Sequence, residues 1–75
     1  MNTVERLAAE LAEDTMKAMN ALGDTQLHYE VAKVIGASSQ SLEEAYLTEM
    51  RVRLTERQAR RFLEQLVKDR GASGQ

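Results

Sequence analysis

The sequence predicts an all-α fold, a small bundle of four helices at about 3–22, 25–35, 41–54 and 55–70. Three observations carry that expectation. Proline is absent and glycine occurs only four times, so little interrupts a helix. Ala, Leu, Glu, Arg and Gln dominate, residues that favour helix over strand. Apolar residues recur at three- and four-residue steps, which line up on one helical face.

The first helix opens at Asn2, whose spacing to Glu5 is that of an N-terminal cap. Val4, Leu7, Leu11, Thr15, Ala18 and Leu22 then form one apolar face, opposite Glu5, Glu10, Glu13 and Lys17. Gly23 closes it, because glycine tolerates the left-handed conformation of a helix C-terminus. Asp24 or Thr25 caps the second helix, with Leu27, Val31, Val34 and Ile35 on its buried side and Gly36 at its end. Ser41 and Glu44 make a capping box that opens the third, which turns Leu42, Ala45, Tyr46 and Met50 inward.

At Leu54 the apolar phase slips, since Ala59 follows five residues later where a continuous stripe needs three or four. Thr55 and Gln58 form another box there, so a fourth helix begins at 55. No Gly or Pro enforces the break, and the alternative is one rod from about 41 to 70. Ala59, Phe62, Leu63, Leu66 and Val67 make its stripe, with Lys68 and Arg70 in a last turn that favours cations. Gly71 ends it. Residues 1–71 are one helical domain, and 72–75 have nothing to bury and form a frayed tail.

A chain of 75 residues has room for one core, and domains of that size bury only about 60% of their unfolded surface. Chains so small commonly add disulfides, metals or self-association. Cysteine is absent, which removes disulfides and thiolate chemistry and leaves self-association as the expected staple. There is no signal-like N-terminus and no apolar run near the ~20 residues of a bilayer span, so a cytoplasmic location without membrane contact is expected. Residues 1–49 carry nine acids against three bases, whereas residues 50–75 carry seven bases against three acids. That split, net −6 against +4, favours antiparallel self-pairing or two oppositely charged faces.

Little in the sequence supports catalysis. His28 is the sole histidine and has no second ligand at metal-binding spacing. Ser38, Ser39 and Ser41 are accounted for by turns and caps, and no glycine-rich phosphate loop is present. Glu10, Glu13, Asp14, Glu43 and Glu44 lie on polar helix faces, where no burial separates their pKa values for acid–base work. The chain is therefore read as non-enzymatic, with no catalytic or metal residues, no cofactor and no small-molecule substrate.

Val31-Ala32-Lys33-Val34-Ile35-Gly36-Ala37-Ser38-Ser39-Gln40-Ser41-Leu42, continuing through Ala45-Tyr46, resembles the helix-turn-helix motif of bacterial DNA-binding regulators over about residues 25–46. The resemblance makes Ala32 the small residue between two helices, Gly36 the turn, and Ile35, Ala37 and Leu42 the closing apolar residues. It implies that Ser39, Gln40, Glu43 and Glu44 meet base edges in the major groove. Arg51, Arg53, Arg57, Arg60 and Arg61 would then contact phosphates, giving a DNA-binding regulator that uses residues 39–61. Glu43 and Glu44 depart from what phosphate attraction favours, which ranks this reading second.

The first reading is a regulatory helical module that forms a homodimer or engages another protein. Phe62, Leu63, Leu66 and Val67 supply its apolar surface, joined by Met16 and Met19, which with Leu47 and Val52 fall outside the main stripes. The acidic first helix of one copy would lie along the basic fourth helix of another, adding register more than affinity. DNA binding needs a continuous positive face at 51–61, and an interaction module needs a continuous apolar one.

Overall fold

Asn2 and Gly23 bracket the first helix as their chemistry dictates. In the computed structural model, which describes residues 1–73, the Asn2 side-chain oxygen accepts the Glu5 amide at 2.8 Å and α1 runs Thr3–Leu22. Gly23 has φ 67°, and its amide returns to the Met19 carbonyl. The Asp24 carboxylate then accepts the Gln26 amide at 2.9 Å, shaping the turn rather than capping the helix. The second helix, α2, spans Leu27–Gly36 and starts two residues later than the sequence suggests.

Gly36 ends α2 without a positive φ. Its lack of a side chain is used for close approach, because a Cβ there would meet the Glu43 carboxylate at 2.6 Å. The third helix, α3, is capped by Ser39 and not by the expected Ser41–Glu44 box. The Ser39 hydroxyl oxygen accepts the Leu42 amide at 3.1 Å, and its carbonyl accepts that of Glu43 at 3.1 Å.

The expected division into four helices is overturned, because α3 is continuous over Gln40–Ser73. Thr55 and Gln58 have capping types at capping spacing, but a cap acts only where the backbone already leaves the helix. With no Gly or Pro between 41 and 70, nothing makes it leave. Gly71 does not end the helix either, so residues 72 and 73 of the expected tail are helical. Residues 74 and 75 of that tail lie outside the described residues.

The three helices run up, down and up. Glu5 shares a cleft with Ser41 through Glu49, and Asn20 shares one with Arg57 through Glu64, so α1 and α3 are parallel and α2 returns between them. At 1.5 Å per residue α3 is about 51 Å long and α1 about 30 Å, which leaves α3 overhanging the bundle. The radius of gyration is 16.0 Å, against about 11 Å for a compact domain of this length, and the longest dimension is 56 Å.

Within the bundle, Ala8, Ala12, Thr15 and Met19 of α1 meet His28 and Ala32 of α2 and the fully buried Tyr46 and Met50 of α3. The alanines let the helices approach closely, and the two large side chains fill the space between them. This rotates α1 away from the expected stripe: Val4 and Leu7 are exposed and Leu22 is 71% exposed. Val34, expected to be buried, is 76% exposed, while Leu27, Val31 and Ile35 pack at the core margin. Thr15 and Leu11 of the expected stripe do face the core, where Ala8, Ala12 and Met19 join them in place of Val4, Leu7 and Leu22.

One buried hydrogen-bond chain crosses the core. The Tyr46 hydroxyl donates to Thr15 Oγ1 at 2.8 Å, and the Thr15 hydroxyl donates to the Leu11 carbonyl at 2.8 Å. Tyr46→Phe should lower stability by about 1 kcal/mol, a fall in Tm of roughly 4–8 °C in a thermal melt. Thr15→Val should cost more, because it strands the buried Tyr46 hydroxyl without an acceptor. The reverse order of the two melts would remove this bond from the core's tie.

Candidate functional site

Helical geometry places the second apolar stripe. Leu66 is twenty residues beyond Tyr46 and sixteen beyond Met50. At about 100° per residue those intervals come to about 200° and 160° after whole turns. Phe62, Leu63 and Leu66 therefore project from the side of α3 away from the core, while Val67, twenty-one residues beyond Tyr46, lies only about 60° round the helix from it, on the flank. Phe62 is 68% exposed, Leu63 55% and Val67 62%, while Leu66 in their midst is half-buried.

Val52 and Ala59, both exposed, continue the same line back toward the bundle. The phase slip between Leu54 and Ala59 is thus a change of apolar face along one unbroken helix. Leu54 is the last apolar residue of the inner face, and Ala59 belongs to the outer one. Val52 was legible as an apolar residue off the core stripe, but its membership of the outer row depends on the helix being continuous.

The two methionines expected to join this surface differ: Met16 lines a cleft with Val52, and Met19 does not reach it. Met19 is buried in the core, and Met16 is half-buried against it, as is Leu47. The exposed apolar surface on α3 belongs to Val52, Ala59 and the Phe62–Val67 stripe.

The residues named for DNA contact differ in their surroundings. Ser39 is half-buried with its hydroxyl used in capping, and the Gln40 amide donates to Glu44 at 3.5 Å. Arg53 is drawn across the α1–α3 seam, with Nε on Glu13 at 2.6 Å, Nη1 on Glu49 at 2.6 Å and Nη2 on the Ala9 carbonyl at 3.4 Å. The hydrogen bond it donates to Glu49, reinforced by the one to Glu13, holds its pKa above the ordinary guanidinium value despite partial burial. Arg60 pairs with Glu56 at 2.8 Å in the expected i,i+4 arrangement.

Arg57 and Arg61 flank the end of α1 beside Lys17 and Asn20. The last turn of α1 has no basic residue of its own, so these arginines supply the cations that a helix C-terminus favours. Arg51 is exposed and lies about 240° round the helix from Arg57, six residues on. At the same angle per residue Arg53, Arg57, Arg60 and Arg61 fall within about 100° of one another on α3, and Arg51 stands apart from them.

His28 is buried at 5% exposure. Its Nδ1 has no hydrogen-bond partner among the described residues, and its ring lies 4.1 Å from that of Tyr29. Among the described residues no group of three His, Asp or Glu side chains is placed to hold a metal ion, and no helix is long and apolar enough to cross a membrane. Comparison with protein-family models, with curated proteins and with solved structures finds no match.

Burial lowers the His28 pKa below its ordinary 6.5, and Asp24 opposes the shift. The folded state therefore binds its proton less readily than the unfolded one. Stability is full above 6.5 and is lost as pH falls from there toward the folded pKa. Melts from about pH 7.5 down to about pH 5.5 should show a falling Tm, and His28→Leu should flatten that part of the profile. Equal slopes in the two proteins would show that the imidazole contributes nothing to the acid sensitivity.

Proposed function

We propose that this chain is a non-enzymatic helical interaction module that associates with itself through the outer face of α3. The observation that carries the reading is the position of Phe62, Leu63 and Leu66 on the side of α3 away from the core, with Val67 exposed on their flank. Monomeric proteins seldom expose contiguous apolar surface without using it, and burial in a partner recovers roughly 25 cal/mol for each Å² removed from water. The intramolecular core is small, resting on two large fully buried side chains and a few alanines. Association through α3 would extend that core and support the overhanging half of the helix.

A cytoplasmic homodimer with a regulatory role is the setting this reading implies. DNA binding through residues 39–61 is disfavoured, because Arg51 and Arg57 point to different sides of α3 and Arg53 and Arg60 are engaged by carboxylates. The charges on α3 act in this view as seam ties and solubilising flanks.

Because Leu63 lies outside the bundle, Leu63→Asp should keep the helical circular dichroism of the parent and yet lose self-association. Light scattering should give twice the 8.4 kDa chain mass for the parent and a single chain for the variant. A monomeric parent at all accessible concentrations, or a variant that remains dimeric, would remove the outer face as the association surface.

A further inference from the structure

The outer face of α3 is a line and has a direction. Val52, Thr55, Ala59, Phe62 and Leu66 follow at alternating three- and four-residue steps, the spacing that keeps one seam against a partner helix. Two such helices can meet in the same or in opposite directions. We propose that a second copy of this chain docks on the line antiparallel to the first, with the two α3 helices crossing between Ala59 and Phe62. The inference rests on the reading of this face as a self-association surface, and adds which way the copies run.

Side-chain volumes favour the antiparallel arrangement. A crossing between Ala59 and Phe62 sets the small residue of each copy against the large one of the other. Parallel pairing in register would stack Phe62 on itself and Ala59 on itself, crowding one layer and leaving the next underfilled.

The flanking charges agree. About the same crossing, Arg70 of one copy comes level with Glu49 of the other on the same flank of the seam. Glu49 stands where one cation, Arg53, already serves two carboxylates, Glu13 and Glu49, so this place has negative charge to spare. Parallel pairing would bring Arg51 toward Glu56, which is favourable, and Glu44 toward Glu49, which is not. Those two effects offset each other.

The whole-chain charge points the same way. Residues 1–49 carry net −6 and residues 50–75 net +4. Parallel copies would lay both acidic bundles together and both basic overhangs together. Antiparallel copies lay each overhang along the other's bundle, over about 26 residues or some 39 Å of α3. Among the described residues α1 and α2 pack on the other side of the helix, and α1 reaches the edge of the line only at Val52, which shares a cleft with Glu13 and Met16.

The direction is read by energy transfer between copies. The chain has no cysteine, so Ser38→Cys and Lys68→Cys each give one labelling site, the first in the turn before α3 and the second off the apolar seam. Donor- and acceptor-labelled protein of each variant would be mixed, with its mass followed by light scattering. Antiparallel crossing puts the two Lys68 positions about 23 Å apart along the axis and the two Ser38 positions about 68 Å apart. The expected result is a dimer with strong transfer at position 68 and near-loss of transfer at position 38. Strong transfer at both positions in a dimer would overturn the antiparallel direction while leaving self-association in place. A monomeric mass with transfer at neither would overturn the self-association reading and this inference with it.

Discussion

The buried bond from Tyr46 to Thr15 fixes how α3 is turned against α1, and the outer surface follows from that rotation. A hydroxyl taken out of water must find an acceptor or lose on the order of 1–3 kcal/mol. Thr15 supplies one while passing its own hydrogen to the Leu11 carbonyl. With Tyr46 and Met50 held inward, helical geometry leaves Phe62, Leu63 and Leu66 no choice but the far side. Slippage of α3 by one residue would turn the whole helix by about 100° and break both arrangements together.

Unequal helix length is the second constraint. The ten residues of α2 and twenty of α1 cannot cover the thirty-four of α3. Along the covered part the inner face of α3 is apolar, with Tyr46, Met50 and Leu54. Where cover ends it turns basic, with Arg57, Arg61 and Lys68 one to two turns apart on the same side. Arg53 stands at the transition, tying α3 to Glu13 of α1. Because Glu13 is well exposed, that pair adds little energy, and its use is to hold the seam in register. One helix therefore has an exposed inner end that carries Arg57, Arg61 and Lys68, and an exposed apolar outer row.

Much of this was legible. The types of Asn2 and Gly23 state the ends of α1, because one accepts an amide and the other tolerates a positive φ wherever they occur. Tyr46 and Met50 read correctly as inward, being the large apolar residues of their segment. The Phe62, Leu63, Leu66 and Val67 stripe was equally plain as a pattern. Its relation to the rest was not, because a pattern gives the phase of a stripe along its own helix and not the neighbour it faces. The slip at Leu54 has two solutions, a broken helix with one face or an unbroken helix with two, and local propensity decided for the second.

By itself the sequence determined that the chain is helical, where α1 ends, and which residues are apolar enough to need cover, since propensity, caps and periodicity are local properties. Only the tertiary structure decided that α1 packs through Ala8 and Ala12, with Leu11 at the core margin and Leu7 and Leu22 exposed, because interhelical distance depends on both surfaces at once. It also decided that Met19 and His28 lie inside, that Arg53 belongs to a seam, and that the apolar stripe near the C-terminus faces away from the core. These are matters of relative rotation and overlap between helices, which no single helix encodes.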